Sequence, residues 1–510
     1  MSSLAELLEV SIRGFAPDLS ASLLKKALSR GGERAELFAE ERHHLALRLE
    51  DSKIEDVSSG IDRGASLRLL RGGATLFAHV DAVDEAPLLS LALRLSELAG
   101  QGALQREGEA LDVSGGGQAA TTTGCEAGPR PAADITAALG RPSPAGPRTA
   151  AVATPPAMAE SLRDSVAAKA ALLRLVDETA RAVSPEVRQV IAVYLEVTQH
   201  VFVGDSEGLQ VWDHRRRAML AVTVMAQREG LIQTGRETLA QQGGVDGFAP
   251  AVVAALAREA AERAVRMLDS RPAPAEKMPV VLANGFGGVL FHEACGHGLE
   301  ADYILKKTSV WEGKKGERVA GPDVTAYDDG VALGMWGSSN YDDEGVPCQR
   351  TPLIEEGVLT GYLTDRLRAS RLGLPLTGNG RRQDYRCLPY PRMTNTYFAP
   401  GQVSPAEIIA DTKRALYAKS LAGGEVNPAT GDFVFAVSEA YLIENGRVTT
   451  PVRGATLIGN GLEVLQGIEV IANDLDVKAG MCGKEGQSVP VGTGQPTLRI
   501  RALTVGGTGV

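Results

Sequence analysis

Two histidines and a glutamate lie close together in the segment His292-Glu293-Ala294-Cys295-Gly296-His297. Imidazole nitrogens are common zinc ligands, and a neighbouring carboxylate can accept a proton from water that the ion activates. The familiar zinc-peptidase helix has its histidines at positions i and i+4, whereas here they are at i and i+5. At about 100° per residue, a regular α-helix would place the second ring roughly 140° from the first. The backbone must therefore depart from an α-helix if both rings bind one ion.

Glycines on both sides of the motif indicate where that departure occurs. Gly287-Gly288 precede an apolar turn, and Gly296 and Gly298 flank the second histidine. Because glycine commonly follows a helix end in a left-handed conformation, we predict a short buried helix from about Gly288 to Cys295. His297 is then expected on the terminating turn or in a local π-bulge, where its ring can turn back toward His292. A buried helix whose two histidines make ordinary hydrogen bonds is the less favoured alternative, because two histidines and a glutamate occur together and are flanked by glycines.

A third protein ligand must come from elsewhere, because catalytic zinc usually has three. Five of the seven histidines, at positions 43, 44, 79, 200 and 214, precede the motif by a long stretch of chain, and none follows His297. Within the last part of the chain the candidate ligands are Glu300, Asp302, Cys295, Cys348, Cys387 and Cys482. A thiolate is a soft ligand that suits zinc. The chemistry of the residues gives Cys482, in a glycine-containing loop, only a slight preference over the carboxylates.

Composition excludes several classes of protein. A net charge of −10 provides no electrostatic attraction for nucleic acid. No stretch has the roughly 18 consecutive apolar residues of a membrane helix, and the N-terminus lacks the pattern of a secretory signal. The five cysteines are scattered without a Cys-x-x-Cys pair, which argues against a disulfide framework and predicts a cytoplasmic protein.

The elements that must position the motif predict an α+β fold. We expect an N-terminal α+β domain at 1-113, a Pro/Gly/Ala-rich linker or surface excursion at 114-156 that contains Cys125, and a middle α/β domain at 157-274. A β-rich, barrel-like domain at 275-510 would carry the metal site.

Apolar spacing predicts individual helices and strands within these regions. Helices are expected from the spacing of Leu19, Leu23, Leu24 and Ala27, and over 82–98, 159–183, 249–268 and 405–420. Strands are expected over 45–49, 54–57, 65–70, 74–78, 187–202 and 218–229, with turns at Asp51-Ser52, Ser58-Ser59-Gly60 and Gly72-Gly73. Asn445-Gly446 and, more weakly, Glu356-Gly357 predict hairpins in the last region.

The stretch from Gly287 to Glu300 resembles the signature of the TldD/PmbA metallopeptidases, in particular its TldD branch. Other segments are similar to the same family and follow in the same order, namely 55–64, 377–383, 392–397, 431–433, 454–461 and the loop around Cys482. The resemblance covers most of the chain outside 114-156.

This resemblance implies a zinc-dependent peptidase that binds one zinc ion through His292, His297 and Cys482. Glu293 matches the family's catalytic glutamate. Family members are dimers, so we expect a dimer either with a PmbA/TldE-type subunit or with itself. Their enclosed cavity implies extended or unfolded peptides as substrates. From the net charge and the absence of a long apolar stretch, we expect neither nucleic acid nor membrane as a partner. Residue 295 is usually apolar in the family, so Cys295 is a departure that could affect the metal site.

Several points stay open from the sequence. The groups that would stabilise an oxyanion are undecided, with Asn379, Arg381, Arg382 and Asn395 as polar candidates. Exposed strand edges could bind a peptide as an added strand. A non-catalytic metal-binding scaffold or partner subunit is the alternative function, although such a scaffold would have no use for Glu293. A nucleotide-binding loop at Gly285-Phe286-Gly287-Gly288 fails, because the Gly-Lys-Ser/Thr ending is missing.

Overall fold

The computed structural model of the chain describes residues 17–71, 73–102, 110–112, 120–121 and 156–507. The linker predicted at 114-156, with Cys125, therefore lies almost entirely outside the described residues. No helix in the described ranges is long and apolar enough to cross a bilayer.

An eight-stranded sheet occupies the first half of the chain, in the order β5-β4-β3-β2-β1-β6-β7-β8. Its long central strands pair antiparallel, and β1 joins β6 across the predicted boundary between the first and middle regions. The division of this half into two domains stays a prediction. The strands are β1 Arg34–Glu50, β2 Lys53–Arg71, β3 Ala74–Val80, β4 Ala110–Asp112, β5 Ala120–Thr121, β6 Val187–Asp205, β7 Gln210–Arg228 and β8 Leu231–Gln242.

Four helices cover one face of this sheet, close to where the spacing predicted them. They are α1 Pro17–Ala27, α2 Glu85–Gly100, α3 Pro156–Arg181 and α4 Pro250–Leu268. Successive strand residues point to opposite faces, so Leu37 and Leu47 share a face of β1. Leu37 packs in the core under α1 and α2, and Leu47 packs in the core under α3 and α4.

One predicted turn in this half is wrong, and one strand has no counterpart among the predictions. Strand β8 was not predicted, and the turn expected at Ser58-Ser59-Gly60 does not form, because β2 continues through these residues in register with β1. Gly60 serves a different purpose, since a Cβ there would lie 2.5 Å from the ring of His44 on the neighbouring strand. The predicted turn at Asp51-Ser52 is confirmed, with φ values of 46° and 62°.

The second half contains a closed five-stranded barrel, which confirms the barrel-like prediction. Neighbours follow the order β17-β10-β24-β20-β18, and β18 pairs back with β17. A six-stranded sheet, β13-β12-β11-β16-β23-β22, lies beside it, with β22 at one edge. The strands of this half are β9 Arg271–Pro272, β10 Glu276–Leu282, β11 Ala326–Asp329, β12 Arg350–Glu355, β13 Val358–Leu359, β14 Gly380–Arg381, β15 Tyr390–Pro391, β16 Asn395–Phe398, β17 Arg414–Val426, β18 Asp432–Glu444, β19 Arg447–Arg453, β20 Thr456–Asn460, β21 Ile468–Ile471, β22 Asp476–Lys484, β23 Gln487–Gln495 and β24 Leu498–Gly506.

The helices of this half are short: α5 Val289–Phe291, α6 Ala301–Leu305, α7 Arg366–Leu372, α8 Pro405–Ala410 and α9 Gly461–Gly467. The helix predicted over 405–420 starts correctly, at a capping box of Ser404 and Glu407. It ends ten residues early, because 414–426 form the barrel strand β17 instead. Both predicted hairpins are confirmed, with positive φ at Asn445-Gly446 and at Glu356-Gly357.

Candidate metal centre

The backbone of the motif changes its helical type between the two histidines. One α-helical turn, α5, runs into a π-helical segment at His292–Gly296, and a 3₁₀ turn at His297–Leu299 follows. The amide of His297 donates to the carbonyl of His292, which is the i→i+5 bond of a π-helix. That bond places residues five apart one above the other. The expected π-bulge is therefore present, and the α-helix predicted from Gly288 to Cys295 is reduced to its first turn.

Gly296 has a different role from the one the sequence predicted. Its φ and ψ are −56° and −50°, so it is right-handed and does not end the helix in a left-handed conformation. A Cβ on this residue would lie 2.2 Å from the sulphur of Met393. Close packing, and not backbone freedom, therefore requires glycine at this position.

Three ligand atoms converge at this bend. The distance from His292 Nε2 to Cys482 Sγ is 3.2 Å, and that from His297 Nε2 to the same sulphur is 3.3 Å. All three residues are buried, with exposed fractions of 2% for His292, 7% for His297 and 2% for Cys482. Among the described residues, these three alone form a group of histidine, cysteine or acidic side chains that could hold one metal ion.

The other candidate cysteines lie elsewhere. Cys295 is buried in the hydrophobic core of the second half, and this burial raises the pKa of its thiol. Cys348 lies 3.6 Å from the carbonyl of Gly378, and Cys387 lies 3.7 Å from Asp384. Cys482 lies on strand β22 and contacts both histidines.

The carboxylate candidates Glu300 and Asp302 form a layer behind the ligand atoms. Glu300 Oε2 accepts from His297 Nδ1 at 2.9 Å, which leaves Nε2 of that ring facing Cys482. Lys484 Nζ donates to Glu300 at 2.9 Å and to Asp302 at 2.6 Å. Burial opposes ionisation of Glu300, but the charges of Lys484 and His297 outweigh it and lower the pKa of Glu300 to about 2. Glu300 therefore stays ionised and orients the ring.

Lys484 and Arg392 were missed by the sequence analysis. Lys484 lies two residues after Cys482 on the same strand, so period-two alternation places both side chains on one face and could have indicated it. Arg392 donates to the carbonyl of Cys482, a contact between distant segments that carries no local signal.

Charge at the centre favours the ligand form of the cysteine. Burial works to raise the pKa of Cys482, yet His297, Arg392 and His292 together hold that pKa well below its usual value. Burial also works to lower the pKa of His297, and the Cys482 and Glu300 charges raise it well above its usual value. A thiolate beside a cationic group fits a metal ion, which can take the place of the proton. Buried His292 Nδ1 has no partner among the described residues.

Glu293 is the one partly open side chain of the motif. Its side chain is 25% exposed and its Oε2 lies 3.7 Å from His297 Nε2, while the other five residues of the motif are buried. A carboxylate at the open side of a two-histidine, one-thiolate donor set is placed to contact water beside a bound ion.

The four polar residues considered for an oxyanion are buried and engaged within the protein. Asn379 donates to Asp328, Asn395 donates to the carbonyl of Asp329, and Arg381 donates to the carbonyls of Met393 and Pro490. Arg382 donates to Ser66 Oγ and to the carbonyl of Asp343. None of them belongs to the ligand group.

Models of the PmbA/TldA metallopeptidase domains match three successive parts of the chain. Domain 1 matches 35–99, the central domain 160–268 and the C-terminal domain 275–507. A relative named metalloprotease TldD homolog, from Haemophilus influenzae, is 40% identical over 467 residues, which are 90% of this chain and 90% of the relative. The chain therefore belongs to the PmbA/TldA metallopeptidase family, the TldD/PmbA family that its motifs resemble.

Further relatives carry similar names. A metalloprotease of Methanothermobacter thermautotrophicus is 32% identical, with 93% of this chain and 96% of the relative covered. A protein of Saccharolobus solfataricus named zinc metalloprotease TldD homolog is 37% identical over 48% of this chain and 55% of the relative.

Solved structures share the fold at low sequence identity. A Thermotoga maritima protein described as a modulator of DNA gyrase aligns with a TM-score of 0.71 and 19% identity, over 96% of this chain and 99% of the other. TldE from Thermococcus kodakarensis aligns with a TM-score of 0.70 and 18% identity, over 96% of this chain and 100% of the other.

Proposed function

We propose that this protein is a zinc-dependent peptidase that hydrolyses peptide bonds in unfolded or extended peptides. The observation that carries the proposal is the convergence of two imidazole nitrogens and one thiol beside the partly open carboxylate of Glu293. A purely structural zinc site is closed by four protein ligands, whereas three ligands leave a position for water. The names of the relatives support the same activity.

The ligand residues, Glu293 and Glu300 have different roles in the proposed hydrolysis. Zinc, when bound by His292, His297 and Cys482, would supply Lewis acidity toward the peptide carbonyl and make nearby water more acidic. Glu293 accepts the proton of the attacking water and then gives it to the leaving amine. Glu300 holds the His297 ring through Nδ1 and so keeps Nε2 directed at the site.

An extended substrate would fit the edge of the six-stranded sheet. Strand β22, which carries Cys482, is the last strand of this sheet among the described residues. A peptide added beside it would run past the ligand group and would replace the hydrogen bonds that Trp336 and Arg392 donate to the carbonyls of Gly480 and Cys482. Main-chain hydrogen bonds of this kind are independent of side-chain identity. A cleavage survey that found strict side-chain requirements at several substrate positions would contradict this part of the proposal.

The proposal also includes an oligomeric state and a cellular location for the protein. We infer a dimer, formed with a PmbA/TldE-type subunit or with a second copy, working in the cytoplasm. Sedimentation of the purified chain, alone and mixed with such a subunit, distinguishes the two dimers.

The first prediction tests the catalytic role of Glu293. Glu293→Gln keeps the size of the side chain and removes the base, so we expect bound zinc to be retained and peptide cleavage to fall by about 10²–10⁴-fold. Zinc content and cleavage are measured on the same sample. Exposed Glu312 offers a matched control, because Glu312→Gln should change neither. Undiminished cleavage by Glu293→Gln would overturn the proposed role.

A further inference from the structure

A small crevice separates the uncovered face of the eight-stranded sheet from residues of the second half. Its walls come from β1, β6 and β7 on one side and from β14 and β23 on the other. Cys482 pairs directly with Val489 across β22 and β23, and Ser488 and Pro490, which flank Val489, line the crevice. Since alternate strand residues point to opposite faces, the crevice and the metal ligands lie on opposite faces of this hairpin.

Positive charge dominates the lining of the crevice. The ionisable residues that line it are Arg42, Arg215, Arg217, Arg381, Arg382 and Asp343. Two of the five arginines have carboxylate partners: Arg42 pairs with Glu40, and Arg215 pairs with both Asp213 and Asp343. Asp343, the one acidic residue of the lining, is thus already engaged by Arg215.

The remaining three arginines are buried, and their acceptors among the described residues are carbonyl and hydroxyl oxygens and not carboxylates. Arg217, Arg381 and Arg382 are 2%, 7% and 5% exposed, and within the described ranges none of them forms an ion pair with a carboxylate. Arg217 donates from Nη2 to the Ser338 carbonyl and to Ser339 Oγ, and its Nε has no partner there. The Nε of Arg382 is likewise unpartnered, while its other nitrogens donate to Ser66 Oγ and to the carbonyls of Cys387 and Asp343, and its guanidinium lies over the Phe38 ring.

Burying a charged group without a compensating partner costs free energy. An ion removed from water is tolerated when an opposite charge or a full set of hydrogen bonds compensates it. Burial, followed by the nearby charges of Arg381 and Arg215, lowers the pKa of Arg217 well below its usual value. Guanidinium groups nevertheless stay protonated in proteins. A bound anion would supply the missing compensation.

We propose that this crevice is a binding site for a small oxyanion, held by Arg217, Arg381 and Arg382. The crevice is small, with room for roughly two water molecules. A crevice of this size suits a carboxylate group or a sulfate ion. Guanidinium groups bind such oxyanions through charge-assisted hydrogen bonds.

The site would also join the two halves of the chain. Arg217 is on β7 of the first half, whereas Arg381 and Arg382 belong to the second. Arg381 donates to the carbonyls of Pro490 on β23 and of Met393, whose sulphur packs against Gly296 of the metal motif. An anion would therefore stabilise the packing behind the metal centre without contacting the metal ligands.

Thermal unfolding of the full zinc-loaded chain tests this site. Sodium sulfate and sodium acetate are each titrated against sodium chloride at constant ionic strength. We expect a saturable rise in Tm with at least one of the two anions. Arg217→Met should raise the anion concentration that gives half of the maximal rise in Tm by roughly tenfold or more. Arg236→Met is the matched control, because Arg236 is an exposed arginine on the neighbouring strand β8 and should leave the response unchanged.

A second pair of ligands identifies the source of the anion. One short peptide is compared with a free carboxyl terminus and with an amidated terminus, using Glu293→Gln protein so that the peptide is not cleaved. A saturable response to the free acid alone assigns the site to peptide carboxylates, and a response to sulfate or acetate assigns it to free anions. The proposal is overturned if the unaltered protein shows no saturable response to any of these ligands, or if Arg217→Met responds as strongly as the unaltered protein.

Discussion

At the scale of single residues, Glu300 decides which nitrogen of His297 faces the metal ligands. Its carboxylate holds Nδ1 at 2.9 Å and is itself held by Lys484. Partners of this kind, one bond away from a ligand, fix the tautomer and the ring orientation. The centre therefore depends on residues that donate nothing to the ion.

This dependence gives a prediction for Glu300→Gln. The substitution keeps the shape but removes the charge that orients His297 and balances Lys484, so we expect zinc affinity to fall by about 10–100-fold. Competition with a chelator of known affinity measures the change independently of catalysis. Exposed Glu355 gives the control Glu355→Gln, which should leave zinc affinity unchanged. If Glu300→Gln binds zinc as tightly as the unaltered protein, Glu300 does not orient His297.

The two cysteines nearest the motif should behave differently. Cys482→Ser removes the sulphur that lies 3.2 Å from His292 Nε2 and 3.3 Å from His297 Nε2. Its loss of zinc affinity should therefore exceed the roughly 10–100-fold loss expected for Glu300→Gln. Cys295→Ala removes a thiol from the apolar core and should leave zinc content unchanged. Metal analysis after dialysis compares the two proteins. Loss of zinc from Cys295→Ala would show that Cys295 contributes to the metal site and would contradict the prediction.

At the scale of elements, the bend between the histidines was predictable and its packing was not. The i, i+5 spacing conflicts with an α-helix, and this conflict alone requires a π-bulge or a break. Whether Gly296 ends the helix or makes room for a neighbour depends on Met393, about a hundred residues away in the chain. The same limit explains β17, because 414–426 form a strand only through their pairing with β10 and β18.

Gly296→Ala tests this packing. The added methyl group would collide with Met393 Sδ at 2.2 Å, while the right-handed backbone of Gly296 would itself accept alanine. We therefore expect a loss of about 1–3 kcal/mol in the free energy of unfolding, the usual cost of overpacking, as measured by urea denaturation. Gly480→Ala, whose Cβ would have no neighbour closer than 3.8 Å, should change it by less than about 0.5 kcal/mol. Equal effects at both positions would contradict the packing explanation.

At the scale of the whole molecule, two halves with separate cores meet through buried charges. The helix-covered face of the eight-stranded sheet follows from its apolar alternation, and the sequence predicts that part. Its other face carries Glu40 and Arg68, and their partners in the second half, Tyr385 and Glu344, lie some 300 residues further along the chain. Residue spacing contains no information about such pairs, so the contact between the halves could not be predicted.

Arg68 is the residue through which this contact can be tested. It is 3% exposed and donates to Glu36 at 3.1 Å and to Glu344 at 2.6 Å, so it joins a carboxylate of each half. Arg68→Met would leave both carboxylates buried without their shared partner, and removal of one member of a buried ion pair costs about 3–5 kcal/mol. Urea denaturation followed by tryptophan fluorescence should show this loss, whereas Arg501→Met, at a side chain that is 72% exposed, should change stability by no more than about 1 kcal/mol. If the two substitutions cost the same, the buried charges do not stabilise the packing of the halves, and the apolar contacts of Trp336, Met481 and Leu195 must provide that stability instead.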